Sequence, residues 1–437
     1  MHPRVLIVGT VPYDTKESSR AFDAYFHYWE KENIAQIFSN SKEPCKGHCG
    51  TLFQITDSMM LNRWLHKTED IGKIFFYDNL LQERKVNGES QSKTIDKAYR
   101  FGRKHTPLTH LLRGILWRKK YWCTEKLNSW LDEFKPECVF LAFSDDFFIS
   151  QIALYVANRY QIPIVSCIGD DYYFNKHFSL NPLYQIYKES YKYLIRKVFR
   201  HPGSAIYISD KIRDKYNKEF NLNGETVYLT STVKRKDFSP INIANPLITY
   251  FGNIRMGRNS SLCDIANVLC DINPNYKIEV YSNEIDELIY KDLKNNPNVI
   301  YGGSIPYNQV QEKMNKSDIT VIVEGFEDKD IELSRYSLST KAADALASGA
   351  AILTYGSDEC GIVEYMKSTN AAIVCSTKKD LKIKIESLLK NVDLQKKYYE
   401  QQIIVTANHH NIKQSCNISE KIICSTIQKI EGRCEDE

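Results

Sequence analysis

Short apolar runs alternate with longer stretches of helical periodicity along most of the chain. In the first half such runs begin at Val5–Val8 and are strongest at Cys138–Phe143 and Pro163–Ile168. The pattern weakens at 231–246, where prolines interrupt it, and restarts with Leu247–Phe251. Strands that alternate with helices are typical of parallel sheets. We therefore expect an α/β fold of two Rossmann-like domains that face a cleft.

The pattern also predicts where these domains end. The first domain is expected to span residues 1–240, and the second is expected to span 241–408. Helical periodicity continues to about Ile430, so residues 409–437 are expected to form a C-terminal helix that packs back on the first domain.

Composition restricts the class of protein. The chain has 437 residues, and its twelve cysteines lack the density of a disulfide framework, so reduced thiols and a cytoplasmic location are expected. The segment Cys45–Cys49 has no second pair of ligands at zinc-finger spacing, so no metal is expected. Arg4–Val8 is too short for a signal peptide, and no apolar run approaches the roughly 18 residues of a membrane span.

Charge is distributed unevenly along the chain. Residues 84–120 hold 11 basic and 2 acidic residues, interleaved with Trp117, Trp122 and several leucines, beside Arg113. A second stretch from Tyr184 to Arg200 repeats this mixture. Basic amphipathic helices can lie on anionic lipid, which predicts a peripheral position on the inner face of the plasma membrane. The alternative is a pair of core-facing helices with solvated basic faces. No nucleic-acid partner is expected.

Polar clusters follow the predicted strands of the first half. Gly9 and Thr10 follow the first strand, Asp145 and Asp146 follow Cys138–Phe143, and a second aspartate pair, Asp170 and Asp171, follows Pro163–Ile168. Ligands of open α/β sheets gather beyond the carboxyl ends of the strands. Carboxylates there can act as general bases, although Asp145 could instead cap the following helix.

The second half carries five polar features at consecutive strand ends. They are Gly252 and Asn253 with Arg255 and Arg258; Ile305 within Gly302–Pro306; Glu324; the helix start Ser339, Thr340 and Lys341; and the loop Gly356–Gly361. Glycines admit close approach of a ligand to the backbone, and arginine forks suit phosphate oxygens. A helix N-terminus also favours phosphate. Together these features predict a site for a nucleoside diphosphate.

Residues 247–375 resemble the donor-binding domain of GT-B glycosyltransferases, a group that includes bacterial capsule and polysaccharide enzymes. The resemblance is carried by Tyr250–Asn253 with Arg255 and Arg258, by Asn298–Gly302, by Ser317–Ile319, and by Ser339–Lys341 through Gly349 to Ile352. It implies a nucleotide-sugar donor, with a UDP-sugar expected, and no further cofactor. It also implies that either Arg255 or Arg258 contacts the diphosphate, with Lys341 in the second basic role.

The family's ribose ligand has two candidates in this sequence. In the family, the second glutamate of an E-x7-E motif contacts the ribose, and Glu324 and Glu332 have that spacing. The helix that this glutamate should open arrives twelve residues later, however, with Asp344 in the corresponding place. The ribose ligand is therefore Glu332 or Asp344.

The resemblance implies metal-independent transfer of a sugar to a glycan or polyprenyl-diphosphate-linked acceptor in cell-surface polysaccharide synthesis. For an inverting enzyme, Asp145 is the first candidate base, followed by Asp146, with Asp170 and Asp171 behind them. In a retaining enzyme these aspartates would only position the acceptor. Two alternatives stay open: a nucleotide-sugar 2-epimerase, which shares the fold, and a non-enzymatic sugar-binding protein.

Overall fold

A computed structural model describes residues 2–13, 19–42, 44, 47–66, 71–76, 107–174 and 181–435. Cys45 and Lys46 of the segment considered for a metal, and the basic residues from 84 to 106, lie outside the described residues. The chain divides into two compact units. Unit 1 runs to Val227 and includes the last stretch from Cys416, and unit 2 is Tyr228–Ser415.

Unit 2 begins earlier than residue 241, the start that the sequence predicts. The segment expected to link the domains is hydrogen-bonded to unit 2: Lys236 N donates to Ser348 O at 3.0 Å, and Arg235 Nη2 donates to Leu346 O at 2.6 Å. The chain returns to unit 1 at Cys416, whose Sγ lies 3.1 Å from Asp23 O. These hydrogen bonds join residues that are distant in the chain, so the sequence does not show the limits of the units.

Unit 1 contains one eight-stranded sheet with helices between its strands. In chain order its elements are β1 Val5–Gly9, α1 Ser19–Phe26, β2 Ile34–Phe38, β3 Thr51–Gln54, α2 Asp57–His66, β4 Lys73–Phe76, α3 Pro107–Leu116, α4 Lys119–Trp122, α5 Glu125–Phe134, β5 Cys138–Ala142, α6 Phe147–Tyr160, β6 Ile164–Ile168, α7 Pro182–Arg200, β7 Gly203–Tyr207, α8 Asp210–Phe220 and β8 Glu225–Thr226. The strand order is β4-β3-β2-β1-β5-β6-β7-β8, and only the β3–β4 pair is antiparallel.

One feature of unit 1 differs from what the apolar runs predict. The run Lys73–Tyr77 would be the third strand by its apolar pattern, but the four-residue strand β3 precedes it, so β4 within this run is the fourth strand. The region 108–134, whose pattern predicts largely helical structure, contains three helices. The interruption between α4 and α5 ends at Thr124, because the Thr124 side chain accepts a hydrogen bond from Leu127 N and caps α5.

Unit 2 contains a six-stranded parallel sheet. Its elements are β9 Ile248–Phe251, α9 Arg258–Ile272, β10 Ile278–Tyr281, α10 Glu287–Asn295, β11 Val299–Gly303, α11 Tyr307–Lys316, β12 Ile319–Val323, α12 Asp328–Ser334, α13 Lys341–Ser348, β13 Ala351–Tyr355, α14 Gly361–Thr369, β14 Ile373–Cys375, α15 Lys378–Lys390 and α16 Val392–His409. A last helix, α17 Ile412–Glu435, continues into unit 1. The strand order is β11-β10-β9-β12-β13-β14.

The core of unit 2 forms where the strands meet the helices. The strands β9 and β12 are buried at every position, as strands covered on both faces should be. Leu262, Ile265 and Leu269 recur at helical spacing on α9 and pack into the same core. The predicted fold class, α/β with two Rossmann-like sheets and a helical C-terminal segment, is confirmed. Among the described residues no helix is long and apolar enough to cross a membrane.

Candidate functional site

The strand order of unit 2 reverses direction between β9 and β12. In open α/β sheets such a switch point leaves a crevice beyond the carboxyl ends of the two strands, where ligands bind. Gly252 follows β9, and Glu324 follows β12. These two positions therefore mark the crevice, and both are among the residues that the sequence predicts for the donor.

Arg258 and Glu324 form a buried ion pair at this switch point. Arg258 Nε donates to Glu324 Oε2, and Arg258 Nη2 donates to Glu324 Oε1, both at 3.0 Å. Both side chains are at most 10% exposed. Burial raises the pKa of Glu324, and the adjacent guanidinium opposes that shift. Arg258 Nη1 has no hydrogen-bond partner among the described residues, so one face of the guanidinium can still bind an anion.

Lys341 lies across Gly252. A Cβ atom added to Gly252 would be 2.0 Å from Lys341 Cε, and Gly252 has a φ of +134°, so only glycine is suited to this position. Lys341 Nζ donates to Tyr250 Oη at 3.1 Å, and that hydroxyl donates to the Asn253 carbonyl. The first residue of α13 is thereby fixed against the end of β9.

The electrostatic environment of Lys341 is unusual for a lysine. The pKa of Lys341 is lowered to about 7, chiefly by burial and also by the nearby Arg258 guanidinium, while Glu324 opposes the shift. A further negative charge beside Lys341 would favour its protonated form. Lys341 is therefore prepared to gain a proton when an anion binds.

The loop from β9 to α9 has a backbone of uncommon shape. Gly252, Met256 and Gly257 all have positive φ, and for Met256 this is a strained conformation. A Cβ on Gly257 would be 2.5 Å from Asp330 Oδ2. Strain of this kind collects at functional sites, and here it turns the chain so that α9 begins with Arg258 facing Glu324.

Arg255, the other candidate for the diphosphate, is directed elsewhere. Its Nε and Nη2 bind Glu284 at 2.6 and 2.7 Å, and half of its side chain is exposed. Asn253 Oδ1 accepts a hydrogen bond from Arg255 N at 2.7 Å, which stabilises the turn. The structure therefore places Arg258, and not Arg255, with Lys341.

The two hydroxyl residues at the start of α13 have different positions. Thr340 has helical φ and ψ and makes no capping hydrogen bond through its side chain. Ser339 Oγ accepts a weak hydrogen bond from Lys341 N at 3.4 Å, and Ser339 O accepts from Ala342 N. The first turn of the helix is therefore bonded through Ser339.

Asp344 lies one turn after Lys341 on the same face of α13. Its Oδ1 accepts hydrogen bonds from Ser231 Oγ at 2.6 Å and from Tyr307 Oη at 3.1 Å. Tyr307 opens α11 directly after the loop that holds Ile305, which packs against Phe251 and its neighbours. These contacts bring the β11–α11 loop beside α13 and the end of β9.

Glu332, the alternative to Asp344, lies on α12. It is half-buried, and its Oε1 is enclosed without a hydrogen-bond partner. Within the described part of the chain, it makes no hydrogen bond or ion pair with Lys341 or Gly252. The structure therefore groups Asp344, and not Glu332, with the residues of the switch point.

The switch point of unit 1 falls between β1 and β5, because these strands are neighbours and the strand order reverses there. A Cβ on Gly9 would be 3.0 Å from Ala142 Cβ, so the two strand ends lie close together. Thr10 Oγ1 donates to Ser144 Oγ at 3.1 Å. The predicted positions Gly9 and Thr10 are thus adjacent to the segment that carries Asp145 and Asp146.

Asp146 is buried in an ion-pair cluster. It pairs with Arg113, which also binds Asp57 with Nη2 3.2 Å from Oδ2. Trp117 Nε1 donates to Asp57 Oδ1 at 2.6 Å. The pKa of Asp146 is raised to about 6, chiefly by burial; Arg113 opposes the rise, and the nearby Asp145 and Asp57 contribute to it. Arg113 was expected on a basic outer face, and this placement corrects that expectation.

The remaining aspartates have different surroundings. Asp145 is half-buried, and the residue at the cap of α6 is Asp146, without a capping side-chain bond. The alternative reading of Asp145 as the helix cap is therefore corrected. Asp170 is exposed. Asp171 Oδ1 accepts from Phe174 N at 2.9 Å and from Tyr216 Oη at 2.9 Å, so it holds the loop after β6.

Sequence reasoning missed several residues of these sites. Tyr250 was seen only as part of a strand, and Tyr307 only as a helix start. Arg113 and Asp57 were not connected with Asp146, because 33 and 89 residues separate them from it. Tyr307 could have been found from the sequence, since it directly follows the predicted ligand-binding loop Gly302–Pro306. In the part of the chain that the structure describes, no group of three acidic, histidine or cysteine side chains could hold a metal ion.

Comparison with known proteins supports the fold. No protein-family model matches the chain, and no curated protein matches its sequence. Solved structures do match. One is a trehalose-6-phosphate protein from E. coli, bound with UDP-2-fluoro glucose, which is 9% identical to this chain with a TM-score of 0.59. The match covers 97% of this chain and 99% of the E. coli chain. HepE from Anabaena, in complex with UDP-glucose, is 11% identical with a TM-score of 0.57, covering 97% and 100%.

A third structure, TarM, is 13% identical with a TM-score of 0.51. The match covers 69% of this chain and 57% of TarM, so the chain spans little more than half of that protein. The similar solved structures are GT-B glycosyltransferases, the class of enzyme that the sequence predicts. The fold of this chain is therefore the GT-B fold, and the predicted resemblance is confirmed.

Proposed function

We propose that this protein is a glycosyltransferase whose unit 2 binds a nucleotide-diphosphate sugar, a UDP-sugar in particular. The proposal rests on one observation: Arg258 and Lys341 lie close together at the switch point of the unit 2 sheet. Two cations lie in one buried cluster there, with Glu324 and with the buried Asp330, which also interacts electrostatically with Arg258. A pyrophosphate supplies negative charge in a compact form.

The residues around the two cations fit the rest of such a donor. Asp344, one turn along α13 from Lys341, is proposed as the ribose ligand, and Ile305 is proposed to lie against the base. HepE and the E. coli protein were solved with UDP-glucose and a UDP-sugar analogue, respectively, which supports UDP as the first nucleotide to test.

The chemistry follows from the charge of the leaving diphosphate. Negative charge grows on the leaving group during transfer, and groups already in place stabilise it without reorganisation. Arg258 through Nη1, and Lys341 once protonated, would serve this purpose. We propose that they do so without a metal ion, a point that activity in the presence of a chelator tests directly.

We further propose that unit 1 receives a glycan or polyprenyl-diphosphate-linked acceptor. Asp145 is the preferred candidate base, because it follows β5 at the switch point of unit 1, directly after Ser144, which accepts a hydrogen bond from Thr10. Asp146 pairs with Arg113, and Asp171 holds a loop. Asp170, which is exposed, stays an acceptor-side candidate with Gly9 and Thr10.

A membrane position for the acceptor is proposed from two neighbouring helices of unit 1. Leu108, Leu112 and Ile115 are exposed on one face of α3, and Leu183 and Ile186 are exposed on α7, which packs against α3. By contrast, Trp117 and Trp122, which were expected within this amphipathic pattern, are core residues. Flotation with anionic vesicles tests the proposal. Leu112→Ser with Ile186→Ser should reduce binding, whereas Ile383→Ser, an exposed site in unit 2, should not.

The donor assignment is tested by thermal shift and calorimetry with UDP, GDP, CMP and dTDP. Because a ligand bound only to the native state stabilises it, UDP should raise the unfolding temperature of the wild type. Turnover is then measured with UDP-sugars and a panel of glycan and lipid-linked acceptors. The absence of stabilisation by any of the four nucleotides would contradict the proposal.

A further inference from the structure

A groove with a volume of about 760 Å³ lies on the helical layer of unit 1. It is lined by residues at the end of α3, by α4, and by the outer faces of α6 and α7. The volume is that of an ordinary ligand site. Gln151 and Asn158 of α6 both line it and lie seven residues apart, which is about 10 Å along a helix that rises ~1.5 Å per residue. None of the lining residues has a role in the sites described above.

The charge of the groove is positive. Arg118, Lys119, Arg159 and Lys197 line it, and no carboxylate does. Arg159 is neutralised from outside the groove, since its Nη2 binds both carboxylate oxygens of Asp132 at 2.9 and 3.1 Å. Arg118 and Lys197 are exposed and have no ion-pair partner within the described chain. Clefts lined by one sign of charge attract ligands of the opposite sign.

The neutral part of the lining suits sugar rings. Tyr193 is 63% exposed, and the ring of Tyr155 lies 4.3 Å from Lys119 Nζ. The side chains of Gln151 and Ser190 have no hydrogen-bond partner among the described residues and are available to hydroxyl groups. Aromatic rings offer an apolar face beside these polar groups, which matches the alternation of C–H faces and hydroxyls on a sugar.

A lipid chain fits this lining less well. The exposed aliphatic residues of α3 and α7, such as Leu112 and Ile186, are not among the lining residues. The aliphatic residues that do line the groove, Leu154 and Leu194, are buried in the core and present little surface. The apolar surface that the groove does offer is aromatic.

We propose that this groove binds an anionic oligosaccharide, namely a charged stretch of the glycan acceptor away from the end that is extended. The proposal rests on the proposed function in taking a glycan as the acceptor. Its cations would bind carboxylate, phosphate or sulfate groups, and Tyr193 would stack on a sugar ring. The site would hold a growing polymer on the enzyme between successive additions.

The experiment is calorimetry of the full chain with a heparin-derived hexasaccharide and with maltohexaose, an uncharged hexasaccharide. The charged probe should bind, more weakly as salt increases, and maltohexaose should bind much more weakly. Arg118→Ala with Lys197→Ala should weaken the charged probe by at least about tenfold. Lys218→Ala with Lys396→Ala removes two exposed lysines elsewhere and should leave binding unchanged. Tyr193→Ala should weaken binding, and Tyr193→Phe should restore it.

Several results would overturn the proposal. One is an equal loss of hexasaccharide affinity in the groove variants and in the control variant. Another is equal affinity of the wild type for the charged and uncharged hexasaccharides. A third is binding of anionic vesicles through Arg118 and Lys197 without binding of the charged hexasaccharide. UDP binding is measured on the same samples and should be unchanged in every groove variant. Failure of the wild type to bind UDP would count against the proposed function alone, so the two outcomes are distinguishable.

Discussion

Both units place an arginine beside a carboxylate at the switch point of the sheet, and yet the charged groups around the arginine differ. In unit 2, Arg258 pairs with Glu324, Lys341 adds a second cation, and the buried Asp330 interacts with both members of the pair. In unit 1, Arg113 pairs with both Asp146 and Asp57. The first cluster therefore contains two cations, whereas the second contains a single arginine between two carboxylates.

This difference shows what a switch point provides and what it does not. Topology supplies a crevice and convergent strand ends in both units. The side chains that follow the strands then decide whether the crevice attracts a diphosphate or holds carboxylates that could accept a proton. The comparison can be tested by removing one charge at a time.

The largest effect is expected from Arg258→Met. This change leaves Glu324 buried without its partner, and loss of one member of a buried ion pair typically costs about 3–5 kcal/mol. Hydrogen exchange of unit 2 peptides during denaturant unfolding measures the loss. Arg255→Met removes an exposed arginine from the same loop and should have a much smaller effect. Similar losses of stability in both variants would show that the buried ion pair between Arg258 and Glu324 does not contribute more than an exposed one.

A smaller loss of stability is expected from Arg113→Met in unit 1. Two carboxylates lose charged hydrogen bonds, each worth about 1.5–3 kcal/mol, but Asp57 is partly exposed and can be solvated. Adding Asp146→Asn should recover part of the loss, because it removes the buried negative charge. If the double variant were less stable than Arg113→Met, the proposed origin of the effect would be wrong.

For Lys341→Met the expected effect is on ligand affinity. The side chain keeps its length against Gly252 but loses the cation, so UDP affinity should fall about tenfold or more, as for loss of one charged hydrogen bond. Calorimetry measures this. Lys316→Met, at an exposed lysine of α11, provides the control. An unchanged affinity for UDP in Lys341→Met would remove Lys341 from the donor site.

The smallest expected effect is a dependence of UDP affinity on pH. With a pKa of about 7 in the free protein, Lys341 is largely neutral at about pH 8, and bound diphosphate favours its protonated form. Affinity should therefore decrease as pH rises from about 7 to about 9, and binding should take up protons within that range. Calorimetry in buffers of different ionisation enthalpy detects the uptake. Lys341→Met should show neither behaviour.

The sequence alone determined the class of fold. Short apolar runs that alternate with helical periodicity, with glycines and polar residues at the strand ends, were sufficient to predict two parallel α/β sheets. They also predicted that Gly252 and Glu324 follow strands. These features are local, because each depends on residues close together in the chain. The expectation that all five polar features lie at consecutive strand ends was wrong, because two strands separate Gly252 from Glu324 and a helix precedes Lys341.

Partner choice was decided only by the tertiary structure. The sequence could not separate Arg255 from Arg258, or Glu332 from Asp344, because each pair has the right residue type in nearly the right place. Packing assigned Arg255 to Glu284 and Arg258 to Glu324, and it brought Ser231 and Tyr307 to Asp344. The physical reason is that pairing and burial depend on residues distant in the chain, such as the 66 positions that separate Arg258 from Glu324.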